Sequence, residues 1–328
     1  MSAPVLITGG SGFLGTHLAA VLTEAGASVR SLGRSHSDAL EALGVEQIKG
    51  SVLDEGDVAK AVEGARAIYH LAGQVSRDKS KVGAMQALHV AGTRNIIEAA
   101  KAAGIEEVLV VSTSGTVGVS DDPDFEGDED SPYPWDLIGS WPYYESKAFA
   151  EKEALRYVEE GFPVKIARPS LLLGPGDTRG SSTEDVVRFL AGKVKAALPG
   201  GVSAVDVRDV AAVLPSLMAK GEPGVGYMLT GANLSVRDFL LSLEQASGVR
   251  APSFEMPKAL VDRAGGLLKR VSKLKAMGDI DEQTFEMGCR YWYVTSDRAR
   301  AELGFQTRPF EDTIRDTVND LMRGERPR

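Results

Sequence analysis

The stretch TGGSGFLG, residues 8–15, follows a short apolar run and opens a helical pattern. Gly9 permits a tight turn, Gly12 lets the backbone approach a ligand closely, and Gly15 allows the helix to pack against the strand. The free N–H groups and positive dipole end of that helix are well placed for phosphates. The order strand, turn and helix therefore favours a dinucleotide site over a glycine-rich turn without a ligand.

Strand-like and helix-like segments alternate through the first half of the chain. The strand candidates are residues 4–8, 27–32, 46–49, 67–71, 108–112 and 164–167. Helical patterns lie between them, including residues 86–102 and 143–159. The alternation predicts an α/β fold, a doubly wound parallel sheet of the Rossmann type.

Beyond residue 169 the pattern is less regular. Residues 204–207 and 227–230 resemble sheet elements, and residues 236–246 resemble a helix. We therefore expect residues 1–170, with returning elements near 204–232, to form the dinucleotide-binding domain. Residues 171–328 are expected to form mainly a smaller substrate-binding lobe.

Composition excludes several classes of function. The 328 residues carry a formal net charge of −9, which disfavours a nucleic-acid surface. The single cysteine, Cys289, cannot form an intramolecular disulfide, and the four histidines show no metal-ligand spacing, so no metal site is expected. With no apolar run of about 20 residues and no signal-peptide pattern, we expect a cytoplasmic protein.

The end of the second strand bears on the choice of cofactor. NAD-preferring sites place an Asp or Glu there for the ribose hydroxyls, about 20 residues beyond the glycines. Here the sequence is SLGRS, residues 31–35, with no acid. Arg34 can pair with a 2′-phosphate, which favours NADP(H), although a solvated loop arginine is the alternative.

The pair Tyr143 and Lys147 has the spacing of one helical turn. A tyrosine of pKa about 10 exchanges protons poorly at neutral pH, and a nearby ammonium is expected to lower that pKa. Tyr144 has Ala148 at the corresponding position, so Tyr143 is the candidate. Such pairs also occur on ordinary amphipathic helices.

Context favours the catalytic interpretation. Residues 112–116, STSGT, follow a predicted strand, and open parallel sheets bind ligands at the carboxyl ends of their strands. A hydroxyl at Ser114 is suited to hydrogen-bond a substrate oxygen. Ser112 and Thr113 are equally suited to cap a turn.

These three segments, in this order and spacing, resemble the extended short-chain dehydrogenase/reductase family. Residues 168–177 (RPSLLLGPGD), 205–211 and 291–305 agree, so the resemblance covers nearly the whole chain. The similarity is greatest to a branch of dihydroflavonol 4-reductases and hopanoid-associated epimerase-like proteins.

The resemblance implies roles for particular residues. Tyr143 is implied as the general acid or base, Lys147 as its partner and ribose ligand, and Ser114 as the ligand of the substrate oxygen. The implied cofactor-binding residues are Gly9, Ser11, Gly12, Phe13, Leu14, Gly15, Arg34, Ser51, Val52, Leu71, Ala72, Gly73, Lys147, Pro169 and Leu171.

The sequence departs from the family pattern at two positions. Ser51 stands where an acid often contacts adenine, and His89 stands where an Asn usually takes part in a water relay. Of the four histidines, His89 is the one we would test for catalysis. His17 and His70 fall on predicted core elements and are expected to pack or to adjoin the cofactor.

Two surface segments have open interpretations. The acidic, proline-rich residues 120–136 form a predicted loop between Ser114 and Tyr143, either a substrate lid or a solvated loop. The basic, partly apolar residues 258–275 either pack on the substrate lobe or rest on an anionic membrane surface.

The leading hypothesis is an NADP(H)-dependent oxidoreductase that reduces a small-molecule ketone or aldehyde, or oxidises the alcohol. A nucleotide-sugar epimerase or dehydratase with tightly bound NAD is the enzymatic alternative, and Arg34 argues against it. A redox sensor that binds NADP(H) without turnover is the alternative from another class. By analogy with the family, a homodimer is expected.

Overall fold

The computed structural model describes residues 3–76, 79–259, 261 and 281–324. Its main sheet consists of Val5–Thr8 (β1), Val29–Gly33 (β2), Glu46–Lys49 (β3), Ala67–His70 (β4), Val108–Val111 (β5), Val164–Pro169 (β6) and Gly226–Leu229 (β9). All pairs are parallel, and the strand order is β3-β2-β1-β4-β5-β6-β9. The predicted doubly wound sheet is confirmed.

Helices cover both faces of this sheet, which is why its central strands are nearly continuous apolar runs. The described α-helices are Phe13–Glu24 (α1), Asp38–Ala42 (α2), Glu55–Val62 (α3), Val82–Gln86 (α4), Gly92–Ala103 (α5), Trp135–Ile138 (α6), Pro142–Glu159 (α7), Glu184–Leu190 (α8), Val207–Lys220 (α9), Val236–Ser247 (α10), Glu282–Gly288 (α11), Asp297–Leu303 (α12) and Phe310–Arg323 (α13). Short 3₁₀ turns occupy Lys79–Lys81 and Ser114–Thr116.

The helix predicted over residues 86–102 is interrupted by a wider turn. A π-helical segment, Ala87–Ala91, separates α4 from α5. Such segments are rare and often occur at functional sites. His89 lies in this segment and is buried.

Three strands form a second, smaller sheet, and one of them was expected elsewhere. Leu171–Leu173 (β7) pairs parallel with Gly201–Asp206 (β8), which pairs antiparallel with Ala232–Ser235 (β10). Residues 204–206 therefore pair within the small sheet and do not join the main sheet, as the sequence had suggested they would. The elements that return to the main sheet are β9, which pairs with β6, and α9, which packs against α1. An apolar run reveals that a strand is buried but not which neighbour it pairs with.

The far end of the chain also contributes to the dinucleotide-binding half. Ala299 and Leu303 of α12, with Phe305, belong to the same buried cluster as Val5 and Ile7 of β1. The boundary near residue 170 stays a prediction. Most of the basic stretch 258–275 lies outside the described residues, and in the described part no helix has both the length and the apolar character needed to cross a bilayer.

Candidate active site

The glycine-rich turn forms a cradle of backbone groups between β1 and α1. Gly9 adopts φ of 73°, and a Cβ there would lie 2.8 Å from the backbone N of Ala72. A Cβ on Gly15 would lie 2.3 Å from the Gly9 carbonyl oxygen, whereas one on Gly12 would meet only that oxygen, at 3.1 Å. Two glycines therefore allow close packing and the third leaves open space, which fits a dinucleotide phosphate.

The segment after β4 is fastened to this turn. Thr8 Oγ1 accepts a hydrogen bond from Ala72 N at 3.2 Å and shares another with His70 Nδ1 at 2.7 Å. Burial, with a smaller contribution from Lys147, lowers the pKa of His70 to about 3. His70 is thus a neutral packing residue, and it fixes Leu71, Ala72 and Gly73 beside the cradle.

The groups expected on the adenosine side lie at the ends of β2 and β3. Arg34 is exposed directly after β2. The backbone N of Ser51 donates to Asp57, and the carbonyl of Val52 accepts from Asn95. These bonds fix the backbone at residues 51 and 52, while the Arg34 guanidinium remains at the surface.

Helix α7 carries the predicted catalytic pair to the same edge of the sheet. Lys147 Nζ donates to the carbonyl oxygen of Val111 at 2.9 Å, and a Cβ on Gly73 would lie 3.5 Å from that Nζ. Burial lowers the pKa of Lys147 to about 8, and Glu151 opposes the shift. The amine therefore lies between the cradle segment and the end of β5.

The structure corrects the expected state of Tyr143. Burial raises the pKa of its hydroxyl above the ordinary value of 10.0, Tyr144 raises it further, and a hydrogen bond with Thr113 lowers it. The expected lowering of this pKa by the Lys147 ammonium is wrong for the described arrangement, because the net shift is upward and desolvation of the phenolate is its largest cause. Tyr143 is a phenol that keeps its proton at neutral pH.

The hydroxyl that meets Tyr143 belongs to Thr113, which the sequence had assigned to capping. Thr113 does cap the 3₁₀ turn, since its Oγ1 accepts from Gly115 N. The neighbouring Ser114 is buried, 6% exposed, and its carbonyl accepts from Gly118 N at 2.7 Å. Three successive hydroxyl residues left the sequence without a signal to choose among them.

His89 is held as a neutral ring beside Tyr143. Its Nε2 accepts from Gln74 N at 3.0 Å and its Nδ1 lies 2.8 Å from Ser146 Oγ, so the ring proton sits on Nδ1. The ring meets that of Tyr143 edge to face at 6.0 Å. Burial, followed by Lys147, lowers the pKa of His89, so it positions neighbouring groups and does not donate protons as an imidazolium.

Sequence reasoning missed a buried ion pair between Glu151 of α7 and Arg168 of β6. The side chains of Glu151 and Arg168 are 0% and 6% exposed, and Arg168 Nε lies 3.1 Å from Glu151 Oε1. Tyr133 donates to the same carboxylate at 2.6 Å, and Arg168 also donates to the carbonyl of Glu129. Charged residues far apart in sequence gave no sign of this pairing.

Aromatic rings form a wall next to Tyr143. Tyr144 lies 4.8 Å from Trp292 and Trp292 lies 5.3 Å from Trp141, between ring centroids. A Cβ on Gly115 would lie 2.3 Å from the Tyr144 ring, so only glycine fits there. Tyr144 and Trp292 are partly exposed, whereas Trp141 is fully buried and packs against both, so an aromatic surface lies beside Tyr143.

Hydrogen bonds at several positions hold the acidic loop, residues 120–136, against the rest of the protein. Ser120 and Gly127 form backbone bridges with Tyr291 and Val294, and Glu129 accepts from Met228 N. These bonds join the loop to β9 and to the C-terminal segment; its proposed role as a substrate lid stays a prediction. Pro169 and Leu171 lie at the carboxyl end of β6, where the chain passes into the small sheet.

Comparisons with known proteins agree with this geometry. The model of the NAD dependent epimerase/dehydratase family matches residues 5–229. A putative dihydroflavonol 4-reductase of Synechocystis sp. is 31% identical over 95% of this chain and 93% of its own length. Sterol demethylase protein B of Methylococcus capsulatus is 32% identical over 78% of each chain. The crystal structure of gox2253 is 28% identical, with a TM-score of 0.86 over 98% of each chain.

Proposed function

Because the chain belongs to the NAD dependent epimerase/dehydratase family, an extended short-chain dehydrogenase/reductase family, we propose that it is an NADP(H)-dependent oxidoreductase. It would reduce a ketone or aldehyde, or oxidise the corresponding alcohol. The observation that carries the proposal is the position of Lys147, which contacts the end of β5 and lies next to Gly73 beside the glycine cradle, while Tyr143 of the same helix lies against Thr113.

The protein's residues have separable roles in this proposal. The dinucleotide, when bound, supplies or accepts a hydride. Tyr143, held protonated by burial, donates its proton to the substrate oxygen, and the Thr113 hydroxyl orients it. Lys147 would bind a ribose of the cofactor, and Ser114 is the second candidate ligand for the substrate oxygen. Reduction requires the protonated phenol, which is the form that burial favours, whereas oxidation requires the phenolate.

The choice of NADP(H) and the class of substrate rest on different observations. Arg34 is exposed at the end of β2, where its guanidinium can pair with a 2′-phosphate. The rings of Tyr144 and Trp292, both partly exposed beside Tyr143, favour an apolar substrate over a nucleotide sugar. The relatives from Synechocystis and Methylococcus, named a putative dihydroflavonol 4-reductase and sterol demethylase protein B, support that class.

An epimerase or dehydratase with tightly bound NAD is the second candidate, favoured by the family to which the chain belongs. The two candidates differ in how long the cofactor stays bound. An epimerase regenerates its cofactor in each cycle and should retain nicotinamide through purification, whereas a reductase must exchange it. Release of any bound nucleotide by denaturing the purified protein, followed by quantification of both oxidised and reduced nicotinamide dinucleotide, distinguishes them.

Replacement of Tyr143 by Phe tests the mechanism. Turnover of NADPH with a panel of apolar ketones and aldehydes should fall by ~10²–10⁴ because the proton donor is lost. Affinity for NADPH, measured by fluorescence titration, should change little. Tyr144→Phe is the matched control, since it removes a hydroxyl from the adjacent ring and should keep most of the activity. Equal activity of the two variants would end the proposal.

A further inference from the structure

We propose that Arg179 binds the diphosphate of the cofactor and closes the phosphate cradle from the side of the smaller sheet. The proposal rests on the dinucleotide site proposed above and adds a ligand to it. Arg179 lies outside the glycine-rich turn and outside every segment in which sequence reasoning placed a cofactor contact.

The side chain of Arg179 reaches the glycine-rich turn across a separation of 168 residues in sequence. Its Nη2 donates to Oγ of Ser11 at a distance of 3.1 Å. Ser11 lies two residues before Phe13, where α1 begins. The guanidinium is therefore next to the backbone N–H groups that are available to phosphate oxygens.

Two like charges meet at this point. The first residues of α1 carry the positive end of the helix dipole, and its first turn contains no acidic residue. Within the described parts of the chain, Arg179 forms its hydrogen bond with the neutral Ser11 and no ion pair with a carboxylate. An anion between the guanidinium and the helix end would satisfy both, and a guanidinium can bind two phosphate oxygens at once.

The loop that carries Arg179 is held in one conformation by Asp177. This carboxylate is 1% exposed and accepts hydrogen bonds from the backbone N of Ser181, Ser182 and Thr183 and from two of their hydroxyls. Burial alone raises the pKa of Asp177, but these donors outweigh it and hold the pKa below its ordinary value. The loop is therefore ordered before any ligand arrives.

The same loop is tied to both halves of the molecule. His17 of α1 donates from Nε2 to the carbonyl oxygen of Pro175 at 3.0 Å. On the other side, Gly176 N donates to Asp320 and Gly174 N donates to Thr317, both in α13. These bonds fix the position of Arg179 relative to the cradle, so that little conformational entropy is lost when it binds phosphate.

Three probes distinguish a contact with the diphosphate from a contact with the 2′-phosphate. Isothermal titration calorimetry measures the affinities for NADPH, NADH and adenosine 2′-monophosphate, the last of which lacks the diphosphate. Arg179→Gln should lower the affinities for NADPH and NADH equally, by about 10- to 100-fold, because charge-assisted hydrogen bonds are lost. The affinity for adenosine 2′-monophosphate should not change. Thr178→Ala, an exposed neighbour, is the control for disturbance of the loop.

Arg34→Gln provides the opposite pattern and tests the cofactor proposal separately. This variant should lower the affinities for NADPH and adenosine 2′-monophosphate and leave the affinity for NADH unchanged. If Arg179→Gln lowers the affinity for NADPH alone, or lowers the affinity for neither dinucleotide, the proposed role of Arg179 is overturned. If Arg34→Gln affects NADPH and NADH equally, the preference for NADP(H) fails and the role of Arg179 stands. A wild-type protein that binds neither dinucleotide would overturn both proposals.

Discussion

Two neighbouring parts of helix α7 carry polar side chains that are satisfied to different degrees. Glu151 is fully buried, and its carboxylate accepts from both Arg168 and Tyr133. One turn earlier, the ammonium of Lys147 has three donors and, among the residues that the structure describes, makes one hydrogen bond, to the carbonyl of Val111. A group whose partners are all protein groups supports the fold, whereas a group with donors to spare, next to the cradle, is available to a ligand. By this difference, Glu151 supports the fold around the site, whereas Lys147 is available to contact a ligand.

The largest effect on stability is expected at Glu151, because its buried carboxylate is hydrogen-bonded to protein groups. Glu151→Gln should lower the free energy of unfolding by about 3–5 kcal/mol, because the Arg168 guanidinium remains buried without its counter-ion. Denaturant unfolding measures the change. Glu160→Gln, at the end of the same helix, is the matched control. Its pair with Arg156 is exposed, at 46% and 43%, and should contribute at most about 1 kcal/mol.

The Glu151 comparison has a second arm. Replacing both partners by apolar residues, Glu151→Leu with Arg168→Met, should restore much of the lost stability, since no charge is then left unpaired. Equal losses in Glu151→Gln and Glu160→Gln would show that burial of the pair does not set its contribution. The buried middle of α7 and its exposed C-terminal end would then no longer differ in the way described.

An intermediate effect is expected from the pH dependence of stability at Lys147. Burial lowers its pKa to about 8 from the ordinary value of 10.5, so between these values the unfolded chain binds more protons than the folded one. Stability attributable to Lys147 therefore rises with pH through this window, by up to about 2 kcal/mol between pH 7 and 9.5. The measurement is the unfolding free energy of wild type minus that of Lys147→Met at both pH values. A difference that does not change with pH would contradict the shift.

The smallest effect distinguishes two neighbouring hydroxyls. Thr113→Val removes the hydrogen bond to Tyr143 at nearly constant shape and should lower turnover about tenfold, the usual magnitude for one hydrogen bond. Ser114→Ala is the comparison, with turnover measured at saturating substrate and NADPH. A larger loss in Ser114→Ala would favour the residue that the family resemblance implied and place the catalytic hydroxyl one position further along the chain.

Much of the fold could be predicted from local patterns. The strands at residues 5–8, 67–70 and 108–111 are short apolar runs, and burial on both faces of a parallel sheet requires that pattern. Residues 201–206 show the limit, because an apolar run does not specify whether it joins the large sheet or the small one. Pairing depends on contacts between distant segments that the local pattern does not contain.

The candidate site was predictable to a similar degree. The spacing of Tyr143 and Lys147 and the glycines at residues 9, 12 and 15 were readable because one helical turn and one tight turn are local geometry. The ionisation state of Tyr143 was not, because burial by the surrounding elements outweighs its local neighbours. The role of Thr113 was not either, since strand, turn and helix meet only in the folded chain.

The sequence by itself determined the order of strands and helices, the glycine cradle and the helical pair of tyrosine and lysine. Each is a local property, set by backbone conformation and by residues within a few positions of one another. Only the tertiary structure decided that Glu151 meets Arg168, that Thr113 meets Tyr143 and that Arg179 reaches Ser11. Those contacts depend on burial and on charges brought together from distant parts of the chain, where desolvation controls which partners are favourable.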